Sequence, residues 1–243
     1  MHIIKLNAID STNTYLRQLS ASKAIEDFTV VVAKHQTKGR GQMGTQWNVQ
    51  DAKNLTMSVF KDITGVDVER NFYISIAVSL AVFEALKSLN VEKLSIKWPN
   101  DILSENKKIA GILIENVIKQ NRLQASIIGI GINVNQTEFE NLPKASSLQL
   151  MSGRFFELDE VMITVLQKLE YFFELLQKNS FSKLKAQYEE HLFRKNKPST
   201  FKDMEGNMFS GYIKGVSNSG NLQVLLEDEI IKEFDLKEIT LLY

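Results

Sequence analysis

The chain has no cysteine, and only three prolines and three histidines among its 243 residues. Without cysteine there is no disulfide framework, no thiolate zinc site and no cysteine nucleophile. Absent disulfides also fit a reducing, cytoplasmic setting. The histidines, His2, His35 and His191, are isolated from one another in sequence, which argues against a histidine metal site or a serine-type triad. An excess of one charge is missing too. The 29 bases offset 29 acids, whereas a general nucleic-acid binder carries a basic surplus. No apolar run reaches the roughly 18 residues of a membrane span. The start, "MHIIKLNAIDSTN", lacks the basic residues and long apolar stretch of a secretory signal. Internal repeats and low-complexity segments are also absent. What remains is 44% hydrophobic and 24% charged, an ordinary globular composition. The length suits one large domain, or one large and one small.

Element patterns divide the chain. "HIIKL" reads as a strand, and "DSTNTYLRQLS" as a helix start capped by Asp10, Ser11 or Thr12. "FTVVVAKHQ" and "NLTMSVF" read as strands, and residues 70–88 as a core helix. Three strand signals follow: "KLSIKW" stopped by "PND", then "KKIAGILIENVI", then "LQASIIGIGINVN". Residues 157–178 and 181–192 are amphipathic, with Leu158, Val161, Val165, Leu169, Phe172 and Leu176 in one stripe. After "RKNKPST" come short strands separated by "MEGN", "SNSGN" and "LEDE" turns, which predict a small antiparallel barrel or sheet. The expected division is a domain over 1–192 and a second over 193–243.

Four segments carry chemistry. In "HQTKGRGQMGTQW", residues 35–47, Gly39, Gly41 and Gly44 fall within six positions beside Lys38 and Arg40. Such a loop can present backbone amides and a guanidinium fork to a carboxylate or phosphate; it can equally be an exposed flexible loop. "GRGQMG" matches the dinucleotide pattern literally, but only Asp62 stands where the ribose-binding acid belongs and the strand pattern gives no support. No Walker A loop is present. "KWPNDI" sets Lys97, Asn100 and Asp101 around a proline corner, which is also an ordinary turn. In "KKIAG", Lys108 precedes an apolar strand that Gly111 interrupts, a sign of close approach or of a bulge. In "GIGINVN", Gly129 and Gly131 share one strand face, leaving a slot for a flat ligand or for a packed helix.

In this order, "STN", "QTKGRGQMGTQW", "KWPNDI" with "KKIAGILIE", and "GIGINVN" with "LPKASSL" resemble the biotin protein ligases. The resemblance covers essentially the whole chain. It implies an α+β fold, a mixed sheet flanked by helices of the class II synthetase-like type, with a small C-terminal SH3-like barrel. The pattern starts at residue 3, so the form expected is ligase-only, without a DNA-binding module and without nucleic-acid or membrane partners. The implied reaction joins biotin to ATP as biotinyl-5′-AMP, releases pyrophosphate, and passes biotin to a lysine of a biotin carboxyl carrier protein or carboxylase domain. Mg²⁺ is the implied companion of ATP.

Residue roles follow from the same resemblance. Ser11, Thr12 and Gln36 are expected on the biotin ureido ring, with Asn13 beside them. Arg40 and the backbone of Gly39 and Gly41 hold carboxylate and phosphate. Lys97, with Arg40, is the catalytic cation. Gly111, Gly129 and Gly131 form the floor. Trp47, Asn133 and Lys108 serve the adenine and phosphates, and Asn100 and Asp101 are the remaining candidates for ordering this region or the metal. Two departures stand out: several relatives carry a cation where this chain has Gln42, and Thr45 replaces a residue that is often basic. The rival readings are a lipoate or octanoate ligase on the same fold, and a non-catalytic biotin-binding interaction protein.

Overall fold

The computed structural model describes residues 1–47, 50–227 and 229–243. The apolar runs of the first half build one sheet. Its strands are β1 (His2–Ile9), β2 (Thr29–Gln36), β3 (Leu55–Asp62), β4 (Leu94–Lys97), β5 (Asp101–Ser104), β6 (Lys107–Lys119) and β7 (Arg122–Ile132). The order is β1-β2-β3-β7-β6-β5-β4, with β1 and β2 parallel and the other pairs antiparallel. This is the expected mixed sheet. Sequence reading stopped the fourth strand at Pro99 and missed β5, which is only four residues long and follows the proline directly.

The period-2 pleat sends neighbouring residues to opposite faces. Val30 and Ile128 join the large core, while Val31 and Ile127 join a small cluster with Leu16. Leu16 belongs to α1 (Thr12–Ser22), whose N-cap is Ser11; its hydroxyl accepts from the Thr14 amide. On the other face lie α2 (Phe72–Ser88), then α4 (Leu158–Gln177) and α5 (Phe181–Glu190), with the short α3 (Leu148–Ser152) before them. The apolar stripe of α4 behaves as its periodicity predicts: Val161, Val165, Leu169, Phe172 and Leu176 are buried. Among the described residues, no helix is long and apolar enough to cross a membrane.

The last strands are β8 (Pro198–Asp203), β9 (Met208–Val216), β10 (Leu222–Leu225), β11 (Ile231–Phe234) and β12 (Ile239–Leu242). They form an antiparallel sheet in the order β11-β10-β9-β8-β12. This is the small C-terminal antiparallel β element expected; among the described residues no ladder joins its edge strands β11 and β12. Phe201, Phe209 and Phe234 stack within it at 5.4 and 5.6 Å. It docks on the turn after β4 and on α2: Trp98 Nε1 donates to Gly220 O at 2.8 Å, and Tyr73 Oη donates to Asn218 at 3.2 Å.

Candidate active site

The face that α1 covers at Ile127 continues along β7 as Gly129 and Gly131, where side chains stop. Register then aligns one row across five strands. Thr56 of β3 pairs with Gly131, Gly131 with Gly111 of β6, Gly111 with Asp101 of β5, and Asp101 with Lys97 of β4. With strands about 4.8 Å apart, four steps span roughly 19 Å. The row is uncharged at its β3 end and ionic at its β4 end. Above it lies a cavity of about 450 Å³.

A buried polar network closes the uncharged end. Gln36 Oε1 accepts from the Thr12 amide at 2.7 Å and from Thr12 Oγ1 at 3.0 Å. Ser58 Oγ lies 2.7 Å from Thr12 Oγ1 and 2.6 Å from Asn13 Oδ1. Asn13 Nδ2 donates to Glu115 at 2.9 Å. Ser11, Thr12, Asn13 and Ser58 are all buried, so each must be paired or hold a ligand's polar group. Thr56 Oγ1 and Trp47 Nε1 are buried and have no hydrogen-bond partner among the described residues.

At the ionic end, Asp101 is bracketed by two ammoniums, Lys108 at 2.6 Å and Lys97 at 3.5 Å. Its side chain is 14% exposed, against 22% for Lys97 and 34% for Lys108. Two cations share one anion here, leaving positive charge for an anionic ligand. Asn100 Nδ2 donates to Ile112 O at 2.6 Å and so anchors the turn between Lys97 and Asp101.

The glycine loop forms a hairpin over the cavity. Arg40 bridges Gln46, the Trp47 amide donates to Gly39 O at 3.0 Å, and the Gly41 amide donates to Thr45 O at 2.7 Å. Its tip holds Met43 at φ 55°, exposed. Arg40 ties the hairpin down by donating to Glu115 at 2.9 Å and to Thr14 Oγ1 at 3.2 Å. The Trp47 indole lies across the glycine row: a Cβ on Gly131 would stand 2.3 Å from its ring, and one on Gly111 3.1 Å. A Cβ on Gly129 would meet Asn13 Oδ1 at 2.5 Å. The slot left by the alternate glycines thus holds protein groups, Trp47 and Asn13.

The structure brings Ser11, Thr12, Asn13, Gln36, Arg40, Gly41, Trp47, Lys97, Asn100, Asp101, Lys108, Gly111, Gly129 and Gly131 around one cavity. Gly39 supports the hairpin from outside its lining. Asn133 lies in an adjoining recess of about 350 Å³, shared with Trp47 and Lys108; its Nδ2 donates to Ser146 O at 2.9 Å. Sequence reading missed Thr56, Ser58, Glu115, Leu236, Thr240 and Tyr243. Of these only Glu115 left a signal, a carboxylate within the apolar run "GILIENVI".

Comparison with known proteins agrees with this arrangement. Residues 6–133 match the model of the biotin/lipoate A/B protein ligase family. The bifunctional ligase/repressor BirA of Bacillus subtilis is 30% identical over 99% of this chain and 74% of its own length. A biotin–[acetyl-CoA-carboxylase] ligase of Mycobacterium tuberculosis is 33% identical over 66% of this chain and 59% of its own. The biotin protein ligase of Aquifex aeolicus, solved with biotin and ATP, superimposes with a TM-score of 0.82 at 29% identity, covering 99% of this chain and 98% of that one. The chain belongs to the biotin/lipoate A/B protein ligase family. Within that family it is a biotin ligase.

Proposed function

We propose that this chain activates biotin with ATP to biotinyl-5′-AMP, releasing pyrophosphate, and then transfers biotin to a lysine of a biotin carboxyl carrier protein or carboxylase domain. The observation that carries the reading is the five-strand row with an uncharged polar end and a cationic end. It suits a ligand whose one end is a neutral hydrogen-bonding ring and whose other end is anionic. In the first step a biotin carboxylate oxygen bonds to the α-phosphorus of ATP, and the bond to the leaving pyrophosphate breaks. In the second, the acceptor lysine's amine attacks the acyl carbon and AMP leaves.

On this reading Ser11, Thr12, Asn13 and Gln36 take the ureido ring, and the unpartnered Thr56 hydroxyl supports a hydrogen-bonding ring there rather than the apolar end of lipoate or octanoate. Lys97 stabilises charge where carboxylate and α-phosphate meet. Lys108 serves the phosphates. Trp47 and Asn133 serve the adenine side. Arg40, at present on Glu115, exchanges that carboxylate for the ligand's anions, and Gly39 and Gly41 carry the backbone that lets the hairpin close. Closure excludes water from a mixed anhydride that hydrolyses readily.

Asp101 is the acid of the site that remains a candidate for Mg²⁺. Asp101 is held by Lys97 and Lys108, and no cluster of three metal-binding side chains exists among the described residues. On this reading Mg²⁺ arrives with the triphosphate, whose oxygens and bound waters would supply most of its ligands. The test is intact-mass analysis of a carrier domain incubated with the protein, ATP and biotin. A one-biotin adduct that disappears when the acceptor lysine is replaced supports the reading; an unmodified carrier beside active controls overturns it.

A further inference from the structure

The second sheet reaches the ionic end of the site through its final described residue. Tyr243 follows β12 and packs its ring against Phe193, centroids 5.0 Å apart. The Lys144 ammonium stands 4.0 Å from the centre of the Tyr243 ring, and that of Lys97 5.6 Å. The ring also lines the recess that Trp47, Asn133 and Lys108 share. Burial, and then the negative charge of nearby Asp101, hold the phenol above its usual pKa.

This placement has a physical consequence. Lys97 and Lys108 share Asp101, Lys97 and Lys144 share the Tyr243 ring, and among the described residues Asp101 is the one acid paired with any of the three. A second carboxylate would hold Lys97 in place but would consume the charge needed for an anionic substrate. An aromatic face attracts an ammonium through its quadrupole without neutralising it.

We propose that Tyr243 is a positioning residue for the nucleotide half of the reaction: its ring fixes Lys97 and, with Trp47, walls the recess that takes the purine. The proposal rests on the reading of the chain as an ATP-using ligase. It gives the C-terminal sheet a role in adenylation, because that sheet delivers the ring.

The test is biotin-dependent exchange of labelled pyrophosphate into ATP, run on the full chain carrying Tyr243→Phe, Tyr243→Leu or Tyr243→Ala. Calorimetry with biotin alone runs alongside. Tyr243→Phe keeps the aromatic face and should match the wild type. Tyr243→Leu keeps apolar packing on Phe193 but has no π-face. The leucine and alanine variants should raise the KM for ATP about tenfold, equivalent to about 1.4 kcal/mol, within reach of a partly desolvated cation–π contact. Their kcat should also fall, while affinity for biotin alone stays within about twofold. Tyr243→Leu gives a reading even if Tyr243→Ala fails to fold. An unchanged ATP KM in Tyr243→Leu, or a parallel loss of biotin affinity, would overturn the positioning role. Absence of exchange in the wild type would instead bring down the ligase reading, and this inference with it.

Discussion

Replacing Lys97 with alanine should abolish most adenylation while leaving biotin binding and the fold intact. Lys97 ends β4 and its side chain is 22% exposed. At 4 Å and an effective dielectric of about 20, an ammonium and an anion attract by roughly 4 kcal/mol. Asp101, 3.5 Å away, already absorbs part of that field. The net loss expected is therefore about 2.7 to 4 kcal/mol, or a rate lower by about 10² to 10³. The fold should tolerate the change because Asp101 keeps Lys108 at 2.6 Å and is not left as an uncompensated buried charge. Biotin affinity should persist because the buried network of Thr12, Asn13, Gln36 and Ser58 lies at the far end of the row. The assay is single-turnover release of pyrophosphate from ATP and biotin, with biotin calorimetry and a thermal melt on the same preparation. Near-normal release would remove Lys97 from the mechanism. Unfolding of the variant would show that Lys97 also holds the fold at the end of β4.

Residues 38–46 should gain amide protection when biotin or the adenylate binds, since few backbone bonds and the Arg40–Glu115 pair hold the hairpin; strong protection that is equal with and without ligand would rule out a closing lid. Gln42 lines the cavity as a neutral donor, and charge-assisted bonds are roughly twice as strong as neutral ones. Gln42→Arg should therefore slow dissociation of preformed biotinyl-AMP, with an advantage that shrinks as salt rises; an unchanged rate, or a salt-indifferent advantage, would place retention elsewhere. His191 stacks on Phe83 at 4.1 Å, and burial holds its pKa below the ordinary value of 6.5. The unfolded chain then takes up this proton at higher pH than the native one, so stability present above pH 6.5 is lost as pH falls below it. Melting of wild type and His191→Gln between pH 8 and pH 5 should show a shallower decline in the variant; parallel curves would refute the assignment.

Most of the sheet was legible because its strands are β-branched runs and its long helices carry clear apolar stripes. Thr29–Gln36 and Leu158–Gln177 needed no tertiary information. β5 was not legible: four residues after a proline carry too little pattern, and the pairing that makes Asp101–Ser104 a strand comes from β4 and β6. Most residues that line the cavity stood in motifs legible in the sequence, but their alignment was not legible. Thr56, Gly131, Gly111, Asp101 and Lys97 form a row only through register, which is a property of paired strands. Arg40 looked like a free cation because Glu115 lies 75 residues away. Leu236, Thr240 and Tyr243 reach the cavity and its recess from the second sheet, and no local pattern in a short antiparallel strand says what it will touch. The small C-terminal β element was legible from its turn-separated short strands, but whether its edges β11 and β12 meet is an interaction that alternation cannot report.

The central claim is that the row's polar end selects a neutral bicyclic ring and its cationic end drives adenylation. It is tested most directly by measuring pyrophosphate release from ATP with biotin, lipoate or octanoate as the only acid. The account predicts release with biotin and little above background with the other two acids, neither of which has a ureido group. Release driven by lipoate or octanoate in preference to biotin, or no release with any of the three, would contradict it.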